Sequence, residues 1–429
     1  MVDDPRRVLC LGGMRASLRG RRPIRFCPPP GMLSFVGTLP DPFGRSCQCD
    51  KKLNQGPGGG ILQLKTVLSS DNTPVMILTT PRIYLVLLSI LLLVSPITAQ
   101  TADKVDDYVQ GEMLKQHIPE VALAVIKDRK VIKLKGYGFA NVETGLPVTS
   151  DTVFKVGSIS KPIIAMGIML LVENGELSLD DKVSKFLHHT PDSWSEITVR
   201  HLLSHTSGIV REAPGYDPAK IQPDADVIKT AYALPVNSSP GEKYAYSNVG
   251  YFALAEIIQK VSGKPWSEFL TERIFKPLEM TSTRTTTLEE IIPHRADAYS
   301  FGTSKLTNAE TYLAVRPSGA FLSTISDLIK LEAALGGTSF LKPESRTAMW
   351  TQFKLNDGTN SVYGLGWRVE EISGRKRIGH GGSLNGFKSF YARFVDDGLT
   401  IIVLTNLEQV DFYQFSEGIA AQYISALAK

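Results

Sequence analysis

Two short apolar runs near opposite ends of the chain limit what it can fold into. VALAVIKD occupies 121–128 and LTIIVLTN occupies 399–406, and both read as strands. KVIKLKGYGFANV follows the first, while GLGWRVEEI, RKRIGHGG and FKSFYARF precede the second. Between these groups, IIAMGIMLLVENG at 163–175 is apolar on all faces and ends at Gly175. It reads as a buried helix with a glycine C-cap. Residues 180–290 alternate helices with loops rich in Pro and Gly. A short amphipathic helix is expected over 104–116 and another from near Tyr413. Strands at both ends with helices between predict an α/β (α+β) fold. Its antiparallel sheet is built from both chain ends and flanked by helices, with a mostly helical insertion over about 162–290.

The first 99 residues are of another kind. They hold 12 Lys/Arg against 5 Asp/Glu, so the net charge of +4 hides a mildly acidic remainder. Nothing in that remainder suggests a nucleic-acid surface. Residues 1–75 are rich in Arg, Pro and Gly without apolar periodicity, and such a stretch buries too little surface to offset its ordering entropy. They read as disordered, or as a start placed too early, with Met76 the true one. From Met76 the order is Arg82, an apolar stretch Ile83–Val94, then Ile97-Thr98-Ala99, which is signal-peptide anatomy. Left uncleaved, 83–99 is instead a membrane anchor. The expectation is an exported chain, periplasmic or secreted, whose mature body runs over 100–429. All four cysteines lie before residue 50. The body therefore has no disulfide, thiol nucleophile or thiolate metal site.

Three short motifs carry candidate chemistry. In TVFKVGSISKPI, Ser158 precedes Lys161 by one helical turn, which puts both on one face near free backbone N–H groups. Serine needs an adjacent base to attack, and a buried lysine with a lowered pKa is one. The alternative is that Ser158 merely caps the helix. Tyr246-Ser247-Asn248 sits just before an amphipathic helix, where it serves either proton transfer and substrate orientation or plain packing and capping. His380-Gly381-Gly382-Ser383 follows a strand. Its glycines let a substrate approach the backbone, and the N–H of Ser383 with that of Ser158 would make an oxyanion hole; the alternative is a β-turn. His201 and His205 are four apart like metal ligands, but no HExxH glutamate accompanies them, and no metal or cofactor is expected. His188-His189 reads as surface. No Gly-x-Ser-x-Gly elbow occurs, against an α/β-hydrolase.

In this order the three motifs resemble the serine β-lactamase and penicillin-binding-protein superfamily. More narrowly they look like the class C β-lactamase-related group, with its esterases and D-aminopeptidases. GELSLDDKV, HLLSHTSGI, PSGAFLSTISDL and YGLGW extend the resemblance over 105–429. It implies a β-lactamase/transpeptidase-like fold with the site between sheet and helical region. It implies Ser158 as acylated nucleophile, Lys161 as its activator, Tyr246 as proton shuttle, and Asn248 holding the substrate's acyl amide. Where the family usually has Lys-Thr-Gly, this chain has His380-Gly381-Gly382. The implied activity is hydrolysis of an ester, a D-amino-acid amide or a D-aminoacyl peptide, with a cell-wall fragment as a further substrate type and no stable protein partner. The alternatives are a β-lactamase and a silent peptidoglycan-binding module. A neutral His380, donating a hydrogen bond to substrate, would favour uncharged esters and amides over substrates with a free carboxylate.

Overall fold

The chain enters its fold through α1 (Lys104–Gln116), whose first turn is capped by the Asp103 carboxylate accepting from the Val105 amide at 2.9 Å. The structure is a computed structural model. It describes residues 103–217, 220, 222–285, 290–310 and 317–428, all within one unit, Pro96–Lys429. The leader at 76–99 and the segment 1–75 lie outside the described residues.

After α1 come β1 (Glu120–Lys127), β2 (Lys130–Asn141), β3 (Leu146–Pro147) and β4 (Phe154–Lys155). A 3-10 turn at Gly157–Ile159 leads into α2 (Ser160–Glu173). The middle of the chain holds α3 (Val199–Leu203), α4 (Asp224–Tyr232), α5 (Asn248–Ser262) and α6 (Trp266–Leu270). Short strands follow: β5 (Arg284–Thr285), β6 (Tyr299–Phe301), β7 (Leu306–Asn308) and β8 (Phe321–Ser323). Then come α7 (Ile325–Gly336), α8 (Pro343–Met349), β9 (Arg368–Ile372), β10 (Arg375–Leu384), β11 (Phe387–Phe394), β12 (Leu399–Thr405) and α9 (Phe412–Ala421).

The main sheet runs β3-β2-β1-β12-β11-β10-β9, and every pair is antiparallel. The two chain ends meet at its centre, with Val121 opposite Thr405 and Lys127 opposite Leu399. This is the sheet that the sequence predicts. Its central strands are apolar without a break because both faces are covered. Val121, Leu123 and Val125 join Ile401 and Val403 in a core with α1 and α9. Ala122, Ala124 and Ile126 join Ile402 and Leu404 in the core on the other face, which includes α2 and α7 residues. Each fully buried Val, Leu or Ile there contributes about 1.5–3 kcal/mol.

In α2 every residue from Ser160 to Leu171 is buried, as its all-round apolar sequence requires. Pro162 falls in the first turn, where its missing N–H has no intrahelical partner to lose. The helix stops at Gly175, whose φ of 75° is left-handed, and the Glu176 amide closes the end on Leu171 O at 3.0 Å. Helices are not confined to the expected insertion. α7 and α8 follow it, and α7 packs on β1 and β12 of the main sheet.

Candidate active site

The turn at Gly157–Ile159 presents Ser158 where β4, α2 and β10 come together. Gly157 has φ 52°, and a Cβ there would lie 2.9 Å from the Ser383 amide nitrogen. Only glycine fits this approach, which puts the Ser158 turn directly against the third motif. Ser158 is not the cap of α2. Its side chain makes no capping bond, and its Oγ instead receives hydrogen bonds from Lys161 Nζ at 3.1 Å and Tyr246 OH at 3.0 Å.

Lys161 is fully buried. Beyond Ser158, its Nζ donates to Asn248 Oδ1 and to Ser318 O, both at 2.8 Å. Those two oxygens can only accept, so they hold two N–H bonds in either protonation state. The third direction points at Ser158 Oγ, the one of these partners able to exchange a proton with the amine. Asn248 opens α5, but its cap is Ser247, whose Oγ accepts from the Gly250 amide at 3.0 Å. Asn248 Nδ2 donates to Glu212, so both ends of this amide are engaged within the protein. Nδ2 carries two hydrogens, and the one that is not on Glu212 can donate to a substrate carbonyl in the cavity that Asn248 lines.

The third motif is a strand, not a turn. β9 pairs with β10 over Arg375–Gly379, and among the described residues no strand pairs with that side of β10 from His380 onward, where it borders the pocket. A Cβ on Gly382 would come 2.1 Å from Val156 O and 2.2 Å from Ser389 Oγ. The second glycine therefore makes room for the chain that leads to Ser158, besides leaving the edge bare for substrate.

His380 departs from expectation. It is buried, and burial followed by the charge of Lys161 pushes its pKa down to about 3, so it is neutral as expected. However, it has no hydrogen bond to give a substrate. Nδ1 lies 2.7 Å from Gly381 O, which can only accept, so Nδ1 carries the proton. Nε2 then accepts from Tyr363 OH at 2.8 Å. Both ring nitrogens are committed inside the fold.

The cavity at Ser158 measures about 500 Å³ and brings together Ser158, Tyr246, Asn248, His380, Gly381, Gly382 and Ser383. It also exposes side chains that the sequence reading did not single out. Arg211 and Glu212 line it, with the Arg211 guanidinium 5.0 Å from the Tyr246 ring centre. Arg368, Tyr244, Phe412 and Tyr413 line it as well. Arg368 is held by Glu370, whose carboxylate is shared with Arg377. Arg211 and Arg368 add guanidiniums to this lining, the first 3.9 Å from Glu212 and the second paired with Glu370. Glu212 is the carboxylate among the described lining residues, and it is engaged with Asn248.

His201 and His205 serve different neighbours. His201 Nδ1 accepts from the Thr198 amide at 3.2 Å in a capping box at the start of α3. His205 lies fully buried under Tyr246, the two ring centres 4.2 Å apart. His188 and His189 are exposed.

The chain is similar to known proteins in sequence and in fold. The family profile described as Beta-lactamase matches residues 105–422. A penicillin-binding protein of Bacillus subtilis (strain 168) is 31% identical over 314 residues, 67% of this chain and 68% of that protein. Protein flp of Staphylococcus aureus (strain N315) is 26% identical over 324 residues, 72% of this chain and 64% of flp. Among solved structures, the octameric penicillin-binding protein homologue from Pyrococcus abyssi superposes with a TM-score of 0.66 at 28% identity, covering 74% of this chain and 76% of that one. The D-amino acid amidase from Ochrobactrum anthropi SV3 superposes with a TM-score of 0.65 at 22% identity, covering 76% and 99%, a likeness of fold.

Proposed function

This chain belongs to the beta-lactamase family, whose profile spans residues 105–422, and from that premise we propose a serine hydrolase that works through an acyl-enzyme on Ser158. One observation carries the reading: Ser158 Oγ lies 3.1 Å from Lys161 Nζ and 3.0 Å from Tyr246 OH at the wall of an open cavity. Lys161 accepts the hydroxyl proton as Oγ attacks the substrate carbonyl carbon. The resulting oxyanion is received by the backbone N–H groups of Ser158 and Ser383. Tyr246 passes a proton to the departing alcohol or amine. Water then attacks the acyl group, with the same pair handling its proton, and Ser158 is restored.

The substrates we propose are esters and amides or peptides of D-amino acids, small enough for a cavity of about 500 Å³. A penicillin-binding protein among the relatives and a D-amino acid amidase among the structural neighbours support that range. Export by the 76–99 leader belongs to the same proposal and rests on its sequence.

A substrate panel tests the function: matched neutral and carboxylate-bearing short esters, a D-amino-acid amide, a D-aminoacyl peptide and a chromogenic cephalosporin. Turnover of esters or D-amides that disappears in Ser158→Ala is the expected result. Cephalosporin as the best substrate would make the protein a β-lactamase. Binding of cell-wall fragments without any turnover would make it a silent receptor of the same fold.

A further inference from the structure

The loop bearing Tyr246 and Asn248 does not hold itself in place. Segment 205–212 grips it on both sides of the tyrosine. The Ala245 amide donates to His205 O at 2.8 Å, and the Ser247 amide donates to His205 Nδ1 at 3.1 Å. Ser247 Oγ donates to Val210 O at 2.8 Å, and the Asn248 amide to Arg211 O at 2.8 Å. In this set His205 bonds the residues on either side of Tyr246, one through its main chain and one through its ring.

Histidine is an unfavourable choice for this position on packing grounds alone. The side chain is fully buried among Tyr246, Tyr251 and Tyr363, where an apolar ring would fit. Its Nε2 is buried without a hydrogen-bond partner among the described residues, a desolvation penalty that an apolar side chain avoids. Its backbone has φ 57°, the left-handed region that non-glycine residues seldom occupy. What the imidazole supplies in return is one acceptor, Nδ1, for the amide that follows the tyrosine. Burial, then the charge of Lys161, holds its pKa well below the usual value, so that acceptor persists in the neutral ring.

We propose that His205 is a positioning residue that fixes the Tyr246 hydroxyl on Ser158 by holding the amides of Ala245 and Ser247. It touches no substrate and exchanges no proton. The inference rests on the acyl-enzyme reading above, because it assigns His205 a role in proton transfer through Tyr246.

Two substitutions separate positioning from packing. His205→Phe keeps the ring and loses the acceptor. His205→Asn loses the ring but offers an acceptor at the same distance along the side chain and tolerates the left-handed backbone. Pre-steady-state acylation by a chromogenic ester and a thermal melt are measured for both. His205→Phe is expected to slow acylation about 10- to 100-fold with little change in KM, as for a misplaced catalytic group. His205→Asn is expected to recover most of that rate. A folded His205→Phe protein as fast as wild type, or a folded His205→Asn protein slower than His205→Phe, overturns the proposal. Should His205→Phe fail to fold, the folded His205→Asn protein decides alone: near-normal acylation supports positioning and its loss refutes it. A Ser158→Ala protein that still turns over would instead overturn the acyl-enzyme reading.

Discussion

From the helical side, the groups nearest Ser158 are side-chain atoms: Lys161 Nζ, Tyr246 OH and, one bond further, Asn248 Oδ1. From the sheet side, the site meets main chain along Gly381–Ser383, and His380 beside it has both ring nitrogens committed inside the fold. In the proposed mechanism one wall moves protons and the other holds a shape. A substitution on the helical wall therefore removes chemistry and should leave the fold standing. A substitution on the sheet wall moves backbone and should disturb both.

The largest effect is expected on the helical wall. Lys161→Ala and Tyr246→Phe should each lower kcat by about 10³-fold, in the range of general acid–base catalysis. The double variant should be hardly slower than the worse single one, because the pair acts as a unit. Steady-state kinetics with the best ester checks this, and additive losses would mean two independent roles. Next comes Gly382→Ala, whose Cβ would lie 2.1 Å from Val156 O in the segment leading to Ser158. We expect kcat to fall about 100-fold, comparable to losing one oxyanion donor, together with a lower melting temperature. Full activity in that variant would erase the contrast between the walls.

How much of this was legible in sequence follows from which contacts are local. The helix over 104–116, the apolar α2 ending at Gly175, and the strands at both ends come from periodicity and turn residues, and each stands where it was expected. The spacing of Ser158 and Lys161 also holds, with Ser158 in the turn just ahead of the helix. Long-range contacts were not legible. Tyr363 on His380, Glu212 on Asn248, His205 on the Tyr246 loop and the guanidiniums of Arg211 and Arg368 at the cavity all join distant segments. His380 is the instructive case: its residue type predicts neutrality, but only its neighbours show that it has no donor left.

That commitment gives the smallest predicted effect, on stability and not on rate. In the unfolded chain a histidine titrates near 6.5, whereas burial holds folded His380 at about 3. Between these values the unfolded state binds the extra proton, so stability falls as pH drops from about 6.5 toward 3. His380→Gln should flatten that dependence by up to about 1.4 kcal/mol per pH unit while keeping a neutral polar side chain. Urea midpoints of both proteins from pH 7 to 4 measure it, and parallel curves would mean that His380 titrates normally in the fold.

The central claim is that Ser158 is the atom source of a covalent intermediate. A fluorophosphonate probe, followed by intact-mass measurement and peptide mapping, tests it without knowledge of the natural substrate. One adduct per chain is expected, on the peptide containing Ser158, and none in Ser158→Ala. Labelling of a different serine, or ester turnover by a protein that takes up no probe at Ser158, would contradict it.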